Sequence, residues 1–121
     1  MKSIALIFCL FILTLVVDAQ SPMTTSQHLY KLLFENDQVR VQEYHLKPHE
    51  IEPMHSHTTE GVVYVLTGAK LKFTIPDRPP EERSATAGEV IWREPITHMV
   101  ENVGDTEARA IVVDLKATAK H

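Results

Sequence analysis

The sequence predicts an all-β fold, an antiparallel sandwich or barrel, on three observations. Short runs of β-branched, aromatic and aliphatic residues recur about every ten residues. Clusters of Gly, Pro, Asn and Asp separate them. No segment shows a sustained helical period.

The elements follow in order. Residues 1–19 read as a signal peptide and not as part of the fold. Lys2 precedes a fourteen-residue apolar stretch, Ile4 to Val17, broken only by Thr14. Val17 and Ala19 then sit at the two small-residue positions of a cleavage site after Ala19. The rival reading is a membrane anchor, but the run is short against the roughly 20 residues that span a bilayer. No lipobox-like small residue precedes Cys9, which argues against a lipoprotein. Cleavage removes one charge of each sign, Lys2 and Asp18, so the formal net charge of −4 is unchanged. It also removes Cys9, the single cysteine, so the mature chain is expected to hold no disulfide. A core of about 100 residues suffices for one domain without one. The expected location is secreted or periplasmic, with no stable membrane anchor after cleavage. A mildly acidic chain with no basic stripe gives no support to nucleic-acid binding.

Residues 20–37 read as a loose, polar N-terminal arm followed by a first strand over Leu29–Phe34, turned by Glu35, Asn36 and Asp37. A domain is expected over 38–115. Its strands are Val39–Leu46, Met54–His57, Val62–Leu66, Leu71–Ile75, a short edge strand Glu81–Ala85, Val90–Trp92, Ile96–Val103 and Ala108–Leu115. Lys47 to Pro53, with two prolines, reads as a loop, as does the Pro-rich stretch 76–80. Residues 116–121 are a tail. Val62 to Leu66 is apolar on both faces, so one face fills the barrel and the other needs a cover; a homodimer is expected.

The stretch PMHSHTTEGVVYVLTG carries the chemistry. His55 and His57 stand two apart, and strand side chains at i and i+2 share a face. Both imidazoles can therefore enter one pocket, and neutral imidazole is the commonest protein ligand for metals. His98 and Asn102 form a second group in PITHMVEN, with Val100 on the same strand face. No GxSxG elbow and no glycine-rich phosphate loop is present.

These residues resemble the cupin superfamily, small double-stranded β-helix (jelly-roll) barrels. Its first motif, G(x)5HxH(x)3-4E(x)6G, is matched at His55, His57 and Gly68. The end of its second, G(x)5PxG(x)2H(x)3N, is matched at His98 and Asn102. His49 stands at the opening glycine of the first motif and Gly61 at its glutamate, with Glu60 one residue early. Pro95 stands at the second glycine of the second motif, and Gly88 is one residue nearer His98 than the motif's first glycine.

The resemblance implies that His55, His57 and His98 converge on one divalent transition metal: iron, manganese, nickel, copper or zinc. Glu60 is the candidate fourth ligand. Strand alternation turns it away, so a bulge near Thr58-Thr59 would be required. An apolar pocket with Val63, Val65 and Val100 in its wall is expected around the site. The function implied is a metal-dependent dioxygenase acting on a small molecule, with isomerase or lyase chemistry as neighbours. The alternative is a non-catalytic cupin that binds a small molecule or metal for sensing or storage. In a third reading the histidines are core residues of a structural barrel. His28, His45, His49 and His121 read as surface or loop residues, Tyr64 and Trp92 as core or interface aromatics, and Asn102 as a residue that fixes backbone.

Overall fold

The computed structural model describes residues 26–117. Residues 1–19, read from the sequence as a signal peptide, the start of the arm and the end of the tail, with His121, lie outside the described residues. Among those described, no helix is long and apolar enough to cross a membrane.

Among the described residues, one 3-10 turn, Gln27–Leu29, precedes nine strands: β1 Tyr30–Glu35, β2 Val39–Leu46, β3 Ile51–His57, β4 Gly61–Thr67, β5 Ala69–Thr74, β6 Glu81–Ala85, β7 Val90–Arg93, β8 Ile96–Asn102 and β9 Ala108–Leu115. They form a five-stranded sheet in the order β1-β2-β9-β4-β7 and a four-stranded sheet in the order β3-β8-β5-β6. Every pairing is antiparallel. Apart from the β1-β2 and β5-β6 hairpins, each connection carries the chain from one sheet to the other. Gly68 alone makes the step from β4 to β5. A Cβ there would meet the Ala85 carbonyl oxygen at 2.8 Å, so the corner requires glycine.

Period-two alternation places the core. Tyr44 and Leu46 of β2, Val65 of β4, Val100 of β8, and Ala108, Ala110 and Val112 of β9 are all buried. Val63, Leu71 and Phe73 pack against that cluster from its margin. On the outer face, Phe34, Val41, Val113, Val62 and Trp92 stand opposite one another in successive strand pairs. They form an apolar row across all five strands of the larger sheet.

Val39–Leu46, Glu81–Ala85 and Ala108–Leu115 are strands at the predicted bounds. The expected loop Lys47–Pro53 is corrected, because β3 already begins at Ile51. Proline is tolerated there for two reasons. β3 is an edge strand, and its register with β8 slips between Glu52 and His55. Pro53 and Met54 together face the single residue Met99, a bulge of the kind that accommodates a missing N–H.

Candidate metal centre

The β3–β8 register sets His55 directly opposite His98, with His57 two residues further along β3. His55 is 1% exposed and His98 7%. The three imidazoles form a closed triangle, with ring centroids 4.6 Å apart for His55–His98, 4.9 Å for His55–His57 and 5.4 Å for His57–His98. One ligand-capable nitrogen from each lies within 4.8 Å of the other two.

The geometry of the three histidines is compatible with a shared metal ion. His55 Nδ1 lies 2.7 Å from the Pro53 carbonyl oxygen and donates to it, which leaves the Nε2 lone pair aimed into the cluster. His55 Nε2 and His57 Nε2 are 3.1 Å apart. Two nitrogens each about 2.1 Å from one ion and at right angles lie about 3.0 Å apart, so the pair is spaced for a shared cation. His98 Nδ1 is buried with no hydrogen-bond partner among the described residues. Burial pushes His57 down to about 2 and His98 down to about 3, with the Arg93 charge and the neighbouring imidazoles adding to the shift. Both rings are therefore neutral at physiological pH, the state in which imidazole binds metal.

Glu60 is not brought to this group. It is exposed in the β3–β4 connection, and its carbonyl accepts from the Leu115 N–H at 2.9 Å. The next residue, Gly61, is the buried, inward-facing one, so alternation turns Glu60 outward. The bulge that would have reversed this lies upstream, at Pro53-Met54.

That bulge brings in Glu52 instead. It shifts strand parity so that Glu52, three residues before His55, shares the interior face. Glu52 is 1% exposed, and its Oε1 lies 3.5 Å from His55 Nε2. The Tyr30 hydroxyl donates to Glu52 Oε1 at 2.8 Å and the Tyr44 hydroxyl to Oε2 at 2.9 Å. Burial raises the Glu52 carboxyl above the usual range, while His55 and both hydroxyls oppose the shift. Sequence reasoning missed Glu52 because strict alternation from His55 sends it outward. An acid beside a strand proline was the one available signal.

Arg93 was missed as well. It ends β7 directly opposite Gly61, and its guanidinium lies over that glycine. A Cβ at Gly61 would collide with Arg93 Nη2 and would meet the Val113 carbonyl oxygen at 2.8 Å. The first cupin motif has its glutamate at this position; here a glycine clears space for a cation. Arg93 Nη2 donates to Asp114 Oδ1 at 2.5 Å. Its Nε and Nη1 are buried without a partner among the described residues. A buried unpaired donor typically costs about 1–3 kcal/mol, and more when charged.

A cavity of about 380 Å3 opens beside the histidines. Its polar lining includes Tyr30, Tyr44, Glu52, His57, Arg93 and His98, and its apolar lining Val63, Val65 and Val100. Its size and lining suit a small organic molecule. A second cavity, about 260 Å3, meets the first at Tyr30, His57 and Arg93.

Asn102 fixes backbone, as its place in the sequence suggested. Fully buried, it donates to the Leu46 and Thr106 carbonyls at 3.0 and 2.8 Å and accepts from the Gly104 N–H at 3.1 Å. His28 and His49 are exposed, and His45, half-exposed, pairs with Glu107 at 3.0 Å.

A family profile described as "Cupin domain" matches residues 42–114. Among solved structures, a cupin domain from Bordetella pertussis Tohama I is 27% identical, with a TM-score of 0.68; the match covers 73% of this chain and 92% of that one. An RmlC-like cupin with a double-stranded β-helix fold from Methanocaldococcus jannaschii is 17% identical over 72% of this chain and 78% of its own, with a TM-score of 0.59. The polyketide cyclase RemF from Streptomyces resistomycificus is 22% identical over 73% and 64%, also with a TM-score of 0.59. The last two likenesses show the fold alone. No curated protein matches the chain.

Proposed function

The chain belongs to the cupin family, and from that footing we propose that it is an exported metalloprotein. In this reading it holds one divalent transition-metal ion on His55, His57 and His98 and acts on a small molecule in the barrel cavity. The observation that carries the proposal is the triangle of imidazoles, drawn from β3 and β8 and aimed at one point. Three neutral ligands leave coordination positions open, as an ion that must meet a substrate requires. When bound, such an ion supplies Lewis acidity or, if redox-active, a centre for oxygen chemistry. An oxygen-dependent dioxygenase is the reaction class proposed first.

The protein's own groups have separable tasks. The apolar wall orients the substrate and limits water at the reacting end. Glu52, fixed by two tyrosine hydroxyls, sets a carboxylate against His55. Arg93 puts a positive charge beside the same centre.

A second reading, a non-catalytic binder for sensing or storage, is favoured by one observation: the histidine group contains no carboxylate, and Glu60 is exposed. Metal analysis with oxygen-uptake assays separates the two. Bound metal with turnover of a phenolic or thiol substrate supports the enzyme. Bound metal with no uptake on any substrate in the panel supports the binder. No bound metal defeats both.

Export rests on the Lys2, Ile4–Val17 and Ala19 pattern. Pairing of two copies rests on the apolar row Phe34–Val41–Val113–Val62–Trp92, in which Phe34 is 55% and Trp92 54% exposed.

A further inference from the structure

Arg93 is a mostly buried cation, its side chain 11% exposed, with unused bonding capacity. Its Nε and Nη1 together carry three of the five guanidinium N–H groups. Neither nitrogen has a partner among the described residues. The nearby carboxylates do not answer this. Asp114 accepts from Nη2 alone. Glu52 already receives the Tyr30 and Tyr44 hydroxyls. Arg93 also lines both cavities at the place where they meet His57.

The chain keeps this arrangement at a cost. Gly61 must lack a side chain for the guanidinium to lie where it does. Three imidazoles and no carboxylate form the adjacent candidate metal group. A divalent ion there would stand beside an arginine with no negative ligand in that group. Glu52, 3.5 Å from His55 Nε2, is held by the Tyr30 and Tyr44 hydroxyls, and Asp114 takes only Arg93 Nη2, so neither answers the free N–H groups of Arg93.

We propose that the cavity's ligand is a small carboxylate, gripped by the free N–H groups of Arg93 while the rest of the molecule extends along the apolar wall. The carboxylate matches the guanidinium in charge and plane. It also offsets the charge of a neighbouring cation, so carboxylate and metal bind with positive coupling. The inference deepens the metalloprotein reading and rests on it only for that coupling; recognition by Arg93 stands without a metal.

The test uses the purified chain, metal-free and loaded with Co(II), titrated by calorimetry with acetate, oxalate and benzoate and with the neutral amides acetamide and benzamide. Carboxylates are expected to bind at least tenfold more tightly than their amides. Arg93→Gln should erase that preference, and Arg93→Lys should restore part of it. The double variant Arg93→Gln, Asp114→Asn removes the ion pair together and guards against misfolding from an orphaned Asp114; it should behave as Arg93→Gln does. Co(II) stoichiometry is read separately. An Arg93-dependent carboxylate preference without Co(II) binding would support the anion site and defeat the metal reading. Co(II) binding with carboxylates and amides indistinguishable, or with the preference unchanged in a folded Arg93→Gln variant, would overturn the anion site and leave the metal reading standing.

Discussion

The interior end of the barrel and the outer face of the five-stranded sheet reverse the usual division between inside and outside. Inside, Glu52, His55 and His98 are buried at 1%, 1% and 7% exposure. Outside, Tyr64, Trp92 and Val90 are 46%, 54% and 66% exposed. Buried polar groups cost stability unless partnered, and clustered apolar side chains cost it when solvated. Both arrangements make sense if something absent from the isolated chain completes them: a metal with a small anion inside, and a second copy of the chain outside. The two regions differ in kind, because the interior is fixed by directional bonds and the exterior by area.

The largest expected effects lie inside. His55→Ala or His98→Ala removes a ligand and should weaken metal binding by more than about 100-fold, beyond what losing an outer hydrogen-bond partner costs. Equilibrium dialysis against Co(II) or Zn(II) reads this directly. Glu60→Gln is the matched control and should leave binding unchanged, since Glu60 is exposed and outside the group.

Next is Glu52→Ala, which leaves the Tyr30 and Tyr44 hydroxyls without their shared acceptor. It should cost roughly 2–4 kcal/mol by chemical denaturation. Loss of Co(II) binding with stability unchanged would place Glu52 on the metal instead of in the hydrogen-bond frame.

The contrast between a legible and an illegible carboxylate shows how far the sequence could be read. Alternation and turn residues were enough for the succession of strands and for His55 and His57 sharing a face, because both are periodic, whereas the convergence of His98 with them was legible only through the cupin resemblance. Glu60, close to the motif position, drew attention, yet it faces solvent because Gly61 takes the inward place. Glu52 escaped because one extra residue at Pro53-Met54 inverts parity, and a bulge leaves no periodic trace. Arg93 escaped because its role depends on Gly61 across the strand pair, a relation that exists only once register is known. Tyr64 and Trp92 read as aromatics of a core or an interface, and their exposure excludes the core.

Gly61→Ala is expected to destabilise by roughly 1–3 kcal/mol, since its Cβ meets Arg93 and the Val113 carbonyl. A neutral outcome in thermal melts would mean that the guanidinium moves aside freely. The pH response follows from His57 and His98. Unfolded histidine titrates near 6.5, whereas these two are held at about 2 and 3. Between those values the unfolded chain binds more protons, so their contribution, complete above about pH 6.5, is lost as pH falls. Glu52 and Asp114, both raised by burial, act in the opposite sense as pH rises through their folded values. The histidine share is therefore the difference between wild type and His57→Gln, His98→Gln, and the wild type should lose melting temperature more steeply from pH 7 to pH 4. Parallel curves would count against neutral, buried rings.

The smallest effect on the single chain, and the one specific to the outer face, is Trp92→Lys. It should leave the melting temperature of the monomer nearly unchanged and weaken self-association at least about tenfold in sedimentation equilibrium. A wild-type chain that stays monomeric at high concentration would assign the apolar row to another partner.

X-ray absorption at the metal edge of the Co(II)-loaded chain is the most direct measurement of all. Three imidazole nitrogens around one ion per chain, with remaining positions filled by oxygen and the signal abolished in His98→Ala, is the expected result. A spectrum without histidine scattering, or one that survives the loss of His98 unaltered, would contradict it.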